Sequence, residues 1–302
     1  MRHPSLSPGL RGRLYSSEPL SRHTSWRVGG AAEHFYQPSD AEDLAAFLAQ
    51  LPTEEPVFWM GLGSNLLVRD GGIRGTVICT AGALDSYEFI DSGVLRVQAG
   101  VPCAKVARII ARAGYTGGEF LAGVPGTLGG ALAMNAGAFG GETWNLVRRV
   151  ETVDRQGLHH VHDPSEFKVG YREVTGPQGE WFLSADLRLD RDPKRKGEAR
   201  IRALLSQRAK TQPLRQASCG SVFRNPEGNF AARLIERSGL KGLRIGEVQV
   251  SERHANFMIN LGGASAANIE ALMKRVSDTV AAVCGVELVF EVRMMGEPLP
   301  HD

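Results

Sequence analysis

Residues 117–141 are the most glycine-dense part of the chain, running through Gly123-Val124-Pro125-Gly126-Thr127-Leu128-Gly129-Gly130-Ala131 and on to Asn135-Ala136-Gly137-Ala138-Phe139-Gly140-Gly141. An element that only filled a core would be weakened by such a sequence, because each glycine inside a helix costs about 1 kcal/mol relative to alanine. Two situations favour small residues here: a backbone laid flat against a large ligand, or a close helix–helix or helix–strand contact. A second loop, Gly61-Leu62-Gly63-Ser64-Asn65, lies between the apolar runs Val57-Phe58-Trp59-Met60 and Leu66-Leu67-Val68. Its glycines permit positive φ and bring N–H groups near phosphate oxygens, and Ser64 and Asn65 add side-chain donors. The third glycine of the dinucleotide fingerprint is missing, a strand rather than a helix follows, and no G-x-x-x-x-G-K-[ST] occurs. The loop also reads as a tight turn between strands.

A chain of 302 residues exceeds one simple core and implies two or three units. Hydrophobic residues at 42% and charged residues at 23% describe an ordinary globular protein. With a net charge of +2 and no block of lysine or arginine, a nucleic-acid partner is not expected. Any anionic ligand must be met by a few placed residues. No apolar run is long enough to cross a bilayer, and residues 1–23 lack the apolar segment of a secretory signal. That segment reads as a loose N-terminal extension. Cys79, Cys103, Cys219 and Cys284 are widely spaced, so neither a zinc site nor a disulfide framework is expected, and a reducing cytosol fits.

Ser39 and Glu42 predict a capping box for a helix whose apolar stripe is Leu44, Phe47, Leu48 and Leu51. Further strands are predicted at Val57–Met60, Leu66–Val68, Val77–Ile78, Val94–Val97 and Val150–Val153, with another ending near Leu189. Pro102 opens a helix ending at Gly114, with Val106, Ile109 and Ile110 turned inward. The charged, proline-containing run 190–197 suggests a boundary. Beyond it, helices are expected at 198–210, from Asn229 to near Gly239 and at 265–284, with strands near Val248 and Phe257 and a last strand at 287–294. This irregular interleaving favours an α+β class over a doubly wound sheet. The expected division is an extension at 1–19, a first domain at 20–192 with lobes at about 20–82 and 83–192, and a second domain at 193–302.

Three residues stand apart from these patterns. Arg172 follows an aromatic in Gly170-Tyr171-Arg172, at the end of an apparent helix turn. Ser221 sits between a glycine and an apolar pair in Cys219-Gly220-Ser221-Val222-Phe223-Arg224-Asn225-Pro226, and Glu291 lies in the expected last strand. Singly, each reads as a solvated arginine, a turn serine and an outward-facing strand carboxylate.

Taken in order, these segments together with His23-Thr24-Ser25-Trp26-Arg27-Val28-Gly29-Gly30, His254-Ala255-Asn256-Phe257 and Glu291-Val292-Arg293 resemble the UDP-N-acetylenolpyruvoylglucosamine reductase family, over about residues 20–296. The resemblance implies a two-lobed FAD-binding domain of the vanillyl-alcohol-oxidase-like type, followed by a smaller α+β substrate domain. It implies non-covalent FAD and NADPH as co-substrate, and two half-reactions. Hydride passes from NADPH to FAD, and then to the methylene carbon of the enolpyruvyl ether of UDP-N-acetylglucosamine, giving UDP-N-acetylmuramate for peptidoglycan. The cofactor positions it implies are Arg27, Gly61, Gly63, Ser64, Asn65, Val124, Pro125, Gly126, Thr127, Gly129, Gly130, Asn135 and Gly137.

Within the same resemblance, Ser221 matches the proton donor to the carbanion left by hydride transfer. Arg172 and Glu291 match the pair that polarises the enolpyruvyl carboxylate. Tyr171 and Asn225 match substrate-contacting positions. Lys210 suits a diphosphate contact by type, and His254 falls near a substrate-contacting position. A cytoplasmic monomer is expected. Cys219 stands where many relatives have alanine, and the C-terminal part lacks room for the insertion whose tyrosine closes over the substrate in one branch. The resemblance is therefore to the shorter branch. A sugar or alcohol oxidase of the same flavin superfamily is the rival enzyme, though no histidine lies in the glycine-rich loops to carry a covalent flavin. A non-catalytic nucleotide-binding module is the rival of another class, and it would have no need of Arg172, Ser221 and Glu291 together.

Overall fold

Continuous burial from Leu183 to Leu187 fits the place of the strand Glu180–Arg188 at the centre of a five-stranded antiparallel sheet, in the order His159–His162, Val147–Asp154, Glu180–Arg188, Val94–Gln98, Tyr87–Asp91. Leu95, Val97, Val150, Ala185 and Leu187 form one core with the helix Cys103–Arg112 and the short helix Leu128–Ala133. The computed structural model describes residues 9–299. By backbone proximity the chain forms two compact units that interleave along the sequence. One takes the chain up to Ser16, then His34–Leu62 and Gly75–Arg208; the other takes Ser17–Glu33, Gly63–Arg74 and the chain from Ala209 onward.

The first unit also holds the greater part of a four-stranded sheet, ordered Arg13–Pro19, Ala31–Gln37, Ile73–Cys79, Val57–Met60, with the last two strands parallel. Its core comes from the helix Ala41–Leu48: Leu44, Phe47, Leu48 and Leu51 are all buried, and Phe47 stacks on Tyr36 at 3.6 Å between ring centres. The helix cap differs from the expected Ser39–Glu42 box. Asp40 is the cap and accepts from the Asp43 N–H, because the helix starts one residue later.

Asp43 is buried and also accepts from Tyr36 Oη at 2.6 Å, the Ser39 N–H at 3.0 Å and the Arg11 N–H at 2.7 Å. These bonds tie the start of the chain to the helix. They explain why Arg13–Pro19, expected to be part of a loose extension, is a strand. The polar sequence RLYSSEP has no apolar run to reveal it, and its partner groups are supplied from elsewhere.

The second unit is organised by the helix Ala266–Cys284, capped by Ser265 in a capping box with Asn268 and ended by Gly285 in the left-handed conformation. Asp70 accepts from the N–H groups of Ala266 and Ala267 at 2.8 and 2.9 Å, placing negative charge at the positive helix end. Ile269, Leu272, Met273, Val276 and Val280 pack with Trp26, Val222, Phe223 and Val292 in one core. A three-stranded antiparallel sheet, Arg244–Ile245, Val248–Val250, Met258–Asn260, lies beside it. The expected last strand is much shorter than 287–294: only Arg293–Met295 pairs, in parallel, with Leu66–Val68. The α+β class is borne out.

The Asp43 carboxyl is held below its ordinary range: burial opposes ionisation, but the hydrogen bonds from Tyr36, Ser39 and Arg11 together outweigh it. A depressed folded pKa adds stability that is complete above the unfolded value, about 3.9, and lost as pH falls through the folded value. Asp43→Ala should therefore destabilise the protein at pH 7 by about 3 kcal/mol, the scale of a buried charge-assisted network. Thermal melts of both proteins at stepped pH should show the gap narrowing below about pH 4. A gap unchanged across that range would mean that the charge is not its source.

Candidate active site

Glycine in the first unit allows the chain to approach Thr127. A Cβ on Gly61 would lie 2.3 Å from Thr127 Oγ1, and one on Gly129 would lie 2.9 Å from the Ala99 Cβ. Thr127 is buried, and its hydroxyl has no hydrogen-bond partner among the described residues. Thr127 precedes the helix Leu128–Ala133, and Gly126 O accepts from the Cys103 N–H at 2.9 Å, fixing the turn before it. Gly130 is different: it is exposed, and a Cβ there would meet nothing closer than Thr127 Oγ1 at 3.8 Å. The protein's own packing therefore does not require glycine at 130. A buried hydroxyl seeking a partner, beside a helix start with no side chain at 130, fits a ligand laid on this backbone. Val124 is buried and Pro125 exposed in the same turn.

Asn135 is buried with a positive φ of 40° and its side chain is fully engaged. Its amide donates to Glu142 Oε2 at 2.9 Å and to Gly170 O at 3.2 Å, and its carbonyl accepts from the Trp144 N–H at 3.2 Å. Tyr171 and Arg172 do not end a helix turn. They form the tip of a hairpin between the strands Lys168–Gly170 and Glu173–Thr175, with Arg172 at φ 58°. The Arg172 guanidinium donates to Gly137 O at 3.3 Å and lies 5.3 Å from the centre of the exposed Tyr171 ring.

In the second unit, Gly63 (φ 58°) approaches the backbone of His23: a Cβ would be 2.0 Å from His23 O. Gly63 is thus required by the chain itself. Arg27, exposed and also at positive φ, follows in the turn closed by its N–H on Thr24 O. Ser64 is half-buried. Asn65 Nδ2 donates to Glu291 O at 3.0 Å, and Asn65 O accepts from the Arg293 N–H at 3.0 Å. Glu291 therefore precedes the last strand, and its backbone is anchored on the loop that carries Ser64 and Asn65.

Ser221 follows Gly220, whose φ is 71°. The next peptide joins it to Glu291: Val222 O accepts from the Glu291 N–H at 2.8 Å. Asn225 Oδ1 accepts from the Ala231 N–H at 3.0 Å. His254 packs edge-on against Phe257 at 4.7 Å, with Nδ1 buried and unbonded among the described residues, and burial first, then the charge of Lys241, pushes its pKa down, which favours the neutral form. Lys210 is exposed at the end of the helix Gly197–Thr211. A cavity of about 780 Å³ in this unit is lined by Gln212, Arg215, Gln249, Glu252 and Arg253, among others, and its lining includes neither Ser221 nor Glu291.

Sequence comparison gives this arrangement its context. A family model described as the C-terminal domain of UDP-N-acetylenolpyruvoylglucosamine reductase matches residues 212–295, and an FAD binding domain model matches residues 32–162. The chain is 59% identical to the UDP-N-acetylenolpyruvoylglucosamine reductase of Methylococcus capsulatus, over 95% of this chain and 94% of that one. It is 59% identical to the enzyme of the same name from Alkalilimnicola ehrlichii, over 95% and 96%. The chain belongs to the UDP-N-acetylenolpyruvoylglucosamine reductase family. The crystal structure of the family's Thermus caldophilus member superposes with a TM-score of 0.81 at 34% identity, covering 95% of this chain and 100% of that one. The FAD model includes Gly61–Asn65 and Val124–Gly137; the C-terminal model includes Ser221, Asn225, His254 and Glu291. Arg27, Tyr171, Arg172 and Lys210 fall outside both.

Asn256 lies in the motif His254-Ala255-Asn256-Phe257, and nothing in the sequence pattern gives it a role of its own. Its only signal was a polar residue between the apolar Ala255 and Phe257, where a buried side chain must find partners.

Gly130 provides the cleanest test of the cradle. Gly130→Ala should leave the apoprotein as stable or more so, by up to about 1 kcal/mol from helix propensity. Both Gly130→Ala and, more strongly, Gly130→Leu should purify with less flavin per chain by absorbance. Full flavin occupancy in a folded Gly130→Leu variant would remove residue 130 from the cofactor surface.

Proposed function

We propose that this protein reduces the enolpyruvyl ether of UDP-N-acetylglucosamine to UDP-N-acetylmuramate, with Arg172, Ser221 and Glu291 as its catalytic residues. The observation that carries the residue roles is that Val222, the residue after Ser221, accepts through its carbonyl from the Glu291 N–H, remote in sequence. Non-covalent FAD supplies the hydride chemistry, with NADPH as the source of hydride and the enolpyruvyl methylene carbon as its destination. Gly61, Gly63, Ser64, Asn65, Val124, Pro125, Gly126, Thr127, Gly129, Gly130, Asn135, Gly137 and Arg27 would hold it: the open backbone at Gly130 and the Thr127 hydroxyl would offer donors to phosphate oxygens, while Gly61 and Gly63 shape their turns against the chain itself.

The remaining steps fall to the chain's own groups. Negative charge develops on the substrate carbon next to the carboxylate. Arg172 supplies fixed positive charge where it spreads, a term that strengthens in the transition state. Glu291 would serve the same carboxylate, as a protonated carboxyl or by donating through a partner. Ser221 donates its proton to the carbanion; the hydroxyl is a weak acid, but the acceptor is far more basic. Tyr171, Asn225, Lys210 and His254 orient the substrate, with His254 acting as a neutral group. The division into an FAD-binding domain at 20–192 and a substrate domain at 193–302 belongs to the same reading. So does a cytoplasmic monomer, which draws on soluble nucleotide substrates and needs residues of only one chain.

Stopped-flow measurement separates the roles. Ser221→Ala should leave bleaching of the flavin by NADPH nearly intact and slow its reoxidation by substrate about a hundredfold or more, the scale of a lost positioned acid. Ser221→Cys keeps a donor and should be less damaging. Normal reoxidation in Ser221→Ala would remove the serine from the mechanism, and equal slowing of both steps would indicate a distorted site. Arg172→Ala and Glu291→Gln should likewise slow reoxidation more than they weaken substrate binding. An effect on apparent affinity alone would make them binding residues.

A further inference from the structure

We infer that Asn256 is a positioning residue that sets Ser221 and Glu291 in register, acting through the backbone of Val222 and Phe223. This rests on the reading of Ser221 and Glu291 given above. Asn256 is 3% exposed. Its side-chain carbonyl accepts from the Phe223 N–H at 3.0 Å, and its amide donates to Phe223 O at 2.8 Å. Its own backbone carbonyl accepts from the Val222 N–H at 2.9 Å. One residue therefore holds three polar groups of the segment that begins at Ser221: the Val222 N–H and both the N–H and C=O of Phe223.

This side chain does the work of a strand neighbour. It pairs with both the donor and the acceptor of one residue, as a paired strand would, where no regular strand runs. On the far side the segment meets the chain before the last strand: Phe223 forms an isolated antiparallel bridge with Phe290, and the Arg224 N–H donates to Val289 O at 2.8 Å. Val222 O accepts from the Glu291 N–H, so Val222 is held by Asn256 through its N–H and holds Glu291 through its carbonyl. Gly220 leaves the chain before Ser221 without side-chain restraint, at φ 71° with no heavy atom within 4 Å of where its Cβ would be. The position of the hydroxyl must then be fixed from the C-terminal side.

The site asks for one donor and one acceptor on a short side chain. Leucine has the volume but neither bond, and would leave the buried N–H and C=O of Phe223 unpaired. An ionised aspartate can accept from Phe223 N but cannot donate to Phe223 O. A protonated aspartic acid has one donor and one acceptor, like the amide. Burial beside a carbonyl raises a carboxyl pKa, so Asn256→Asp should switch between the two states within a usable pH range.

The experiment uses the full-length holoenzyme and stopped-flow of both half-reactions. Asn256→Leu should bleach with NADPH near the wild-type rate but reoxidise with substrate about tenfold to a hundredfold more slowly, as expected when a reacting group is misplaced by a fraction of its bond reach. In Asn256→Asp, reoxidation relative to wild type should recover as pH is lowered, while Asn256→Leu shows no such recovery. Amide hydrogen exchange gives a readout independent of turnover: protection at Val222, Phe223 and Glu291 should fall in Asn256→Leu, and should be regained at low pH in Asn256→Asp. Unchanged reoxidation and exchange would overturn the inference, as would equal slowing of both half-reactions or the absence of pH recovery in Asn256→Asp. If Ser221→Ala reoxidises normally, the proton-donor reading fails, and the exchange data alone then decide whether Asn256 holds this segment.

Discussion

Close backbone approach is the constraint on which the loop Gly61–Asn65 depends, at Gly61 in one unit and at Gly63 in the other. At Gly61 the chain lies against Thr127, with no room for a side chain beyond its own backbone. At Gly63 it lies against His23 O, in a left-handed conformation that a side chain would also strain. Two residues further on, Asn65 bonds to the backbone of Glu291 and Arg293. Asn65 thereby anchors the backbone of Glu291, and a side chain at Gly63 would displace the turn that carries Asn65.

The polar groups around the site are largely committed to backbone. Asn135 holds the hairpin strand that ends just before Tyr171 and Arg172, Asn65 holds Glu291, and Asn256 holds the segment after Ser221. Asparagine suits this role because its short planar amide carries a donor and an acceptor in one plane and, as at Asn135, tolerates positive φ. These amides anchor backbone segments without adding net charge.

Cys219 illustrates how the same packing excludes unwanted chemistry. It is buried, its thiol lies 3.4 Å from Leu66 O, and burial pushes its pKa up to about 12. A thiolate is the reactive form, so this cysteine is inert although it stands two residues from Ser221.

Much of this molecule was legible in its residues. The stripes at Leu44, Phe47, Leu48 and at Ile269, Leu272, Val276, Val280 defined their helices, because helical periodicity is a local property. The order of motifs from Trp26 to Arg293 identified the family, since side-chain type and spacing are written in the chain. Strand Arg13–Pro19 was not legible, because the partners that order it, Asp43 and its neighbours, are distant in sequence. Nor were the hairpin turn of Arg172 and the short last strand, where hydrophobic pattern alone cannot tell a paired strand from extended chain. The role of Asn256 was hidden for the same reason: its residue type is local, but the two poles of Phe223 that it satisfies are brought to it only by folding. The sequence by itself determined which groups this protein has for its chemistry. Tertiary structure alone decided which backbone each amide would hold, because hydrogen-bond partners are a matter of distance and direction rather than of order along the chain.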